Sequence, residues 1–270
     1  MRSWSAWSLV TAVRAMSSMT PHQGAPSAAA HRFLVARHGE TNFNAEGRIQ
    51  GTLDSSQLTL RGIEQASGLG HHVATVEASR IARVWVSPMT RARQTLAAVE
   101  GACDAAGSPL PALNVRDDLR EIELYHWEGR LKTEIAYEEE EGWKQWKSDP
   151  TKYVTPAGET PLPTLWERAV SNWDALRADA TGDGATLIVA HGAVGRCMVA
   201  AALGCGMESF KNDKFQFDNC WCAELAWEPD APTASHWRWL YKAKGPWESG
   251  EDARRDAAAG RRGATAGIIA

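Results

Sequence analysis

The sequence predicts an α/β protein of three layers, with a mainly parallel sheet, helices on both faces and an inserted helical cap. Three observations carry this. Short apolar runs alternate with segments of helical periodicity from residue 33 to beyond residue 200. That is the order of a sheet whose parallel strands are joined by crossover helices. Three of the apolar runs end at polar clusters, Arg37-His38, Ser87-Pro88 and His191-Gly192, not at hairpin turns. A Glu- and Trp-rich stretch, about 122–163, interrupts the alternation and reads as the cap.

In chain order, residues 33–36 form a buried strand bounded by a turn. In LTLRGIEQASGLGHHVATV, Leu60, Ile63, Ala66, Leu69 and Val73 recur at helical spacing behind Thr59, a suitable N-cap. IARVWV is the next strand, ending at Val86. Ser87 then reads as an N-cap and Pro88 as a first helical residue, with the helix running through TRARQTLAAVE. After the cap, Thr164 to Glu167 has the form of a capping box, with Pro163 before it. Leu165, Ala169, Trp173 and Leu176 supply that helix's apolar face. TLIVA, residues 186–190, is a third buried strand. A helix through Val194, Met198 and Leu203 follows and stops at Gly204. FQFDNCWCAELAW and HWRWLYK alternate as strands that finish the sheet.

The 270 residues suffice for one medium domain with a real core, and the formal charge of -4 gives no reason to expect nucleic acid as a partner. No run of eighteen apolar residues predicts a membrane span. Five cysteines, an odd count without a CxxC pair, predict free thiols and neither a disulfide framework nor a zinc knuckle. Residues 1–30 contain Arg2 and Arg14, much Ser and Ala, and no acid before Glu40. That composition predicts an organelle transit peptide, with the chloroplast favoured and the mitochondrion second. The expected organisation is this segment, a catalytic domain over 31–245, and a flexible tail over 246–270. Most of the thirteen tryptophans are expected in core and cap packing, with one or two available to stack on a substrate.

In an open α/β sheet, ligands bind beyond the carboxyl ends of the strands. Here those ends deliver Arg37 and His38, then Arg91 in the first turn of a helix, then His191 and Gly192. Two histidines and two arginines, near helix N-termini with free N–H groups, form an electropositive pocket whose natural ligand is phosphate.

RHGETNFN, SPMTRARQT, LREIELYHWEG and VAHGAVGR resemble the histidine phosphatase superfamily, with its phosphoglycerate mutase-like fold, over about residues 32–242. IELYHWEGRLKTE and GWKQWKSDP are most similar to the plant and algal 2-carboxy-D-arabinitol-1-phosphatase-like branch. The resemblance implies His38 as nucleophile and phosphohistidine carrier. It implies Arg37, Arg91 and His191 as clamps on the phosphoryl oxygens, with Asn44 adding a hydrogen bond, Gln50 and Gly51 lining the rim and Gly192 beside the phosphate. It implies Glu121 as the acid that protonates the leaving oxygen and then activates water. Glu123, two residues on, is the competing acid. Tyr125 and His126 stand where many members carry glycine, and Glu128-Gly129 fits an acid-Gly close. No metal or other cofactor is implied.

Chemistry adds its own requirements. An alkoxide is a poor leaving group, so a proton donor is needed, and a carboxyl beside a phosphate dianion is kept protonated by like charge. His38 must be neutral to attack, with its ring oriented by an acceptor such as a backbone carbonyl on the other nitrogen. The same anion should draw His191 toward its charged form. The expected partner is a small phosphorylated metabolite, a sugar phosphate or sugar acid phosphate such as 2-carboxy-D-arabinitol 1-phosphate. Alternatives are a phosphoglycerate mutase, a phosphoprotein phosphatase and a catalytically inert phosphate-binding module.

Overall fold

The computed structural model describes residues 30–74, 81–180, 184–228 and, for the backbone, 237–243. Apart from Ala30, the expected transit segment lies outside the described residues, as does the expected tail. Strand β1 (His31–Arg37) is followed by helices α1 (Asn42–Glu46) and α2 (Leu60–His72). Strand β2 (Ile81–Val86) leads into α3 (Thr90–Ala105) and the short β3 (Leu113–Val115). Helices α4 (Lys132–Glu138) and α5 (Glu140–Ser148) belong to the cap. Helix α6 (Pro161–Asp179), β4 (Ala185–Ala190) and α7 (Gly192–Ala202) return to the sheet, followed by β5 (Cys222–Trp227) and β6 (Trp237–Ala243).

The six described strands form one sheet in the order β3-β2-β4-β1-β5-β6. The first four are mutually parallel; β5 and β6 are antiparallel additions at one edge. Strand pleating sorts the core into the two sides of a three-layer fold. Phe33 and Val35 of β1 join α6 and α7 in one cluster, while Leu34 and Ala36 face α2 and α3 in the other. Ile188 and Ala190 against Leu187 and Val189 repeat the division on β4, which is buried at every position as a central parallel strand should be. Among the described residues no helix is long and apolar enough to cross a membrane.

Several local expectations need correction. Helix α3 begins at Thr90, not Pro88, and Ser87 does not cap it. The Thr90 N–H donates to the Asp54 carboxylate at 2.6 Å, a cap supplied from a distant loop. Helix α6 begins at Pro161 behind Thr160, so Thr164 lies inside the helix and the expected capping box does not exist. The expected face does hold, with Leu165, Ala169, Trp173 and Leu176 all buried. In α2, Thr59 caps as expected through its bond from the Gly62 N–H, but Leu60 and Ile63 are exposed. The FQFDN stretch is not strand, because Asp213–Phe215 forms a 3-10 turn and β5 starts only at Cys222.

The cap folds around Trp127, which is wholly buried and stacks on Tyr153 with centroids 4.6 Å apart. Trp143 and Trp146 meet Trp127 edge-on, and Trp146 meets Tyr153 and Phe210. Trp173 is buried and Trp166 packs on the same cluster, so the tryptophans between 127 and 173 pack against protein. The five cysteines are free.

One backbone approach ties α2 to the end of β1. A Cβ on Gly39 would lie 2.4 Å from the Gly62 carbonyl oxygen, and one on Gly62 would lie 2.0 Å from the Glu40 carbonyl oxygen. Alanine at position 62 would gain about 0.5–1 kcal/mol of helix propensity. Overpacking against rigid backbone costs about 1–3 kcal/mol or more, so the steric effect wins. Gly62→Ala is expected to be destabilised by at least ~1 kcal/mol in urea titration. A variant as stable as the parent would show that the two segments do not pack this closely.

Candidate active site

Strand register brings the site together. Arg37 pairs with Ala190 across β1 and β4, so His38 and His191 leave the sheet side by side. The His38 N–H donates to the Ala190 carbonyl, and the Ser87 N–H donates to the Val189 carbonyl, both at 3.0 Å. Three neighbouring parallel strands therefore end together and present Ser87, His191 and His38. The His38 and His191 rings meet edge-to-face with centroids 5.2 Å apart, and both residues are buried.

His38 Nδ1 lies 2.7 Å from the Gly39 carbonyl oxygen. A carbonyl only accepts, so Nδ1 carries the proton and Nε2 of the neutral ring holds a free lone pair. Burial, then the charges of Arg37 and Arg91, push the His38 pKa well below its ordinary value. The ring is thus neutral, with the orientation expected from the sequence. His191 Nε2 lies 2.7 Å from Ser87 Oγ, and its buried Nδ1 has no hydrogen-bond partner. Its pKa is likewise pushed well down, by burial first and then by Arg91, His38 and Arg37. Without an anion the ring is therefore neutral, and the expected pull toward the charged form concerns the phosphate-bound site.

Both arginines are held by backbone carbonyls. Arg91 donates from Nη2 to Gly51 at 2.7 Å and from Nη1 to Leu53 at 2.8 Å. Arg37 donates from Nη1 to Phe217 at 2.8 Å. Among the described residues neither makes an ion pair, so neither charge is neutralised by a contacting carboxylate. Burial lowers the Arg91 pKa to about 10. The Nε atoms of Arg37, Arg91 and Arg168 and His191 Nδ1 are buried without partners. Each such group costs about 1–3 kcal/mol when unsatisfied, and an oxyanion would satisfy several at once.

The rim residues are placed by the same logic. Asn44 Oδ1 accepts from Thr41 and from Asn219 Nδ2, which also holds the His38 carbonyl at 3.0 Å. With its oxygen occupied, the Asn44 amide offers an N–H donor. Gln50 Oε1 accepts from Thr41 and Ser56, leaving its amide nitrogen likewise. Gly51 sits at φ 52, and a Cβ there would strike Glu128 at 2.0 Å. Glu128 accepts from the N–H groups of Thr52 and Leu124, so the acid-Gly close clamps the rim loop to the cap. Gly192 leaves room for Arg37, whose Nε lies 3.4 Å from the position of an added Cβ.

Glu121 stands at the N-terminus of α7. Its carboxylate accepts from the N–H groups of Ala193 at 3.1 Å, Val194 at 3.1 Å and Ile122 at 2.9 Å. The helix N–H groups expected to be free for phosphate are therefore occupied, at α7 by Glu121 and at α3 by Asp54. The Glu121 charge acts on Arg37, Arg91 and Arg196. Glu123 is exposed and interacts with Tyr125, so of the two acids it is Glu121 that joins the cluster.

Asn219, Arg168 and Arg196 are not singled out by the sequence, and Ser87 is read there as a helix cap and not as a partner of His191. Ser87 occupies the same strand-end position as both histidines, a signal obscured by reading it as a cap. Arg168 donates to the Glu121 carbonyl at 2.9 Å from the middle of α6, where an arginine reads as solvated. Asn219 carries no sequence signal, since its role rests on the loop's return beside His38.

A neutral buried histidine, a second histidine and unpaired guanidinium groups at the end of a parallel sheet define a site for phosphoryl chemistry. Residues 33–240 match the histidine phosphatase superfamily (branch 1), and the chain belongs to that family. It is 34% identical over 212 residues to the 2-carboxy-D-arabinitol-1-phosphatase of Triticum aestivum, covering 76% of this chain and 38% of that protein. It is 33% identical over 204 residues to the probable 2-carboxy-D-arabinitol-1-phosphatase of Arabidopsis thaliana, covering 76% and 39%. The chain thus spans less than half the length of either plant relative. Among solved structures, YhfR of Bacillus stearothermophilus matches with a TM-score of 0.63 and 28% identity over 74% of this chain and 93% of that one. The α-ribazole phosphatase of Shigella flexneri shares the fold, with a TM-score of 0.65 and 24% identity over 77% and 94%.

The depressed histidines make stability depend on pH. In the unfolded chain they titrate near 6.5, and in the folded protein well below. As pH falls below about 6.5 the unfolded state binds protons that the folded state does not, so stability present above that pH is progressively lost. The slope is at most ~1.4 kcal/mol per pH unit for each ring. A double His38→Gln, His191→Gln variant should show a flatter fall of the urea midpoint between pH 6.5 and 5 than the parent. An unchanged slope would mean that the folded rings already carry protons.

Proposed function

We propose that this protein is a metal-independent phosphomonoesterase that hydrolyses a small phosphorylated sugar or sugar acid through a phosphohistidine. The observation that carries the reading is His38: a neutral ring, oriented by Gly39, with Nε2 free and under the charges of Arg37 and Arg91. Nε2 attacks phosphorus, forming the N–P bond as the ester P–O bond breaks. Glu121 gives its proton to the leaving alkoxide, and the resulting carboxylate then takes a proton from water. The water oxygen attacks phosphorus, the N–P bond breaks, and inorganic phosphate leaves with the histidine restored. Arg37, Arg91 and His191 hold the equatorial oxygens, and the Asn44 amide adds a donor.

2-Carboxy-D-arabinitol 1-phosphate is the leading substrate, since that compound is in the name of both plant relatives. A phosphoglycerate mutase is the second reading, favoured by 28% identity to a protein of Klebsiella pneumoniae named as a probable phosphoglycerate mutase, matched over 88% of its length. Phosphate release, as against isomerisation of phosphoglycerate, separates the two. Residues 1–30 are read as an organelle address, for which their acid-free, Ser-rich composition is the support.

His38→Ala should abolish hydrolysis of p-nitrophenyl phosphate and the acid-labile phosphoprotein trapped during turnover. Retention of either would remove His38 as nucleophile. Glu121→Gln should slow alkyl phosphates about 100-fold or more while affecting the aryl ester far less, because a phenolate leaves without a proton. Equal losses would move the proton transfer elsewhere. A reporter fused behind residues 1–31 should enter a plastid or mitochondrion, and a diffuse cytosolic signal would refute the targeting reading.

A further inference from the structure

Glu121 reaches its place from a loop, and α6 grips that loop by its backbone. The loop leaves the 3-10 turn Asp117–Leu119 and runs to Leu124. Asn172 Nδ2 donates to the Asp118 carbonyl and Arg168 Nη2 to the Glu121 carbonyl, each at 2.9 Å. Residues 168 and 172 stand one turn apart on one face of α6. Among the described residues Arg168 makes this one hydrogen bond and no ion pair. Both clips leave polar atoms behind, since Arg168 Nε and Asn172 Oδ1 are buried without partners. Packing alone does not call for such groups, because Leu119 and Ile122 already seat the loop in the core. Apolar burial is non-directional, so it sets the depth of the loop and not the tilt of its peptide planes. The hydrogen bonds set the tilt. The peptide that joins Glu121 to Ile122 has its oxygen held by Arg168, while its N–H donates to the Glu121 carboxylate at 2.9 Å. The same carboxylate takes the Ala193 and Val194 N–H groups of α7. Main chain and side chain of Glu121 are therefore fixed by two different helices.

We infer that Arg168, with Asn172 beside it, is the positioning residue of the proton donor. It acts through Glu121 and not on the phosphate. A tilt of the 121–122 peptide would move the Glu121 Cα, and the length of the side chain would carry the carboxyl group further still. Proton transfer needs the carboxyl and leaving oxygens within about 2.6–3.2 Å of each other. A misplacement of about 1 Å costs a rate on the order of 100-fold. A planar guanidinium suits this task, because its N–H groups point in fixed directions where those of an ammonium rotate. The inference rests on Glu121 being the acid, as read above.

A matched pair of esters tests it. p-Nitrophenyl phosphate and benzyl phosphate are similar in size, but the first releases a stable phenolate and the second an alkoxide that needs a proton. The ratio of their kcat/KM values cancels any loss common to both, including the loss of a charge that acts on His191. Arg168→Gln, too short to hold the Glu121 carbonyl, should lower benzyl phosphate relative to the aryl ester on the order of 10- to 100-fold. Arg168→Lys, which can still donate to that carbonyl, should recover most of the ratio. Asn172→Asp has the same shape but turns an acceptor toward the Asp118 carbonyl, and should shift the ratio in the same direction as Arg168→Gln. In a Glu121→Gln background Arg168→Gln should add little to the shift, because the acid it positions is gone. Equal losses on the two esters in Arg168→Gln, or full additivity with Glu121→Gln, overturn the positioning role. Should Arg168→Gln not fold, the Asn172→Asp ratio, alone and in the Glu121→Gln background, decides by the same criteria. If Glu121→Gln itself slows both esters alike, the acid reading falls and the positioning role with it. If Glu121→Gln shifts the ratio and Arg168→Gln does not, the positioning role alone falls.

Discussion

The site depends on two guanidinium groups that are fixed by carbonyl oxygens and not by carboxylates. A carboxylate would hold Arg91 as firmly, but it would cancel the charge. The Gly51 and Leu53 carbonyls fix the fork with partial charges only, so most of the positive potential remains in the pocket. The same choice recurs at Arg37 with Phe217. The unneutralised charge then acts on everything nearby. Together with burial, which is the larger cause, it keeps His38 and His191 neutral, and it makes an oxyanion the complement of a set of buried N–H groups that otherwise lack partners.

Such an arrangement costs stability, and the surrounding fold offsets it through backbone constraints. Arg91 can reach two carbonyls only because the rim loop turns at Gly51 with positive φ, and that turn is locked by Glu128 from the cap side. Asp54 of the same loop caps the helix that carries Arg91, so loop and helix position one another. The loop that carries His38 is braced from two directions, by the Gly39–Gly62 approach and by Asn219 with Cys220 against the His38 carbonyl. Glycine is required at 39, 51 and 62 by close approach, which is why the motif residues and an unremarked helix glycine act together.

Much of this was legible in the sequence. Parallel strands ending in polar clusters gave the sheet, the pocket and four of its members, since register alone places His38 beside His191. What was not legible depended on distant partners. Ser87 looked like a cap because the true cap, Asp54, comes from a loop over thirty residues earlier. Thr164 to Glu167 had the form of a capping box, yet Pro161 could start the helix a turn sooner. Arg168 and Arg196 sit on helices, and only tertiary packing shows that they turn toward Glu121.

The cap bears on how substrates are told apart. Its aromatic residues are the obvious candidates for stacking on a sugar, but Trp127, Tyr153, Trp143 and Trp146 are engaged with one another and Trp146 with Phe210. Trp127 and Tyr153 are buried in this packing, while Trp143 and Trp146 are partly buried against it. On the phosphatase reading, the amide donors of Asn44 and Gln50 are directional polar groups available for telling substrates apart. Selection by hydrogen bonds rejects a missing polar group far more strongly than an apolar wall rejects a missing methylene.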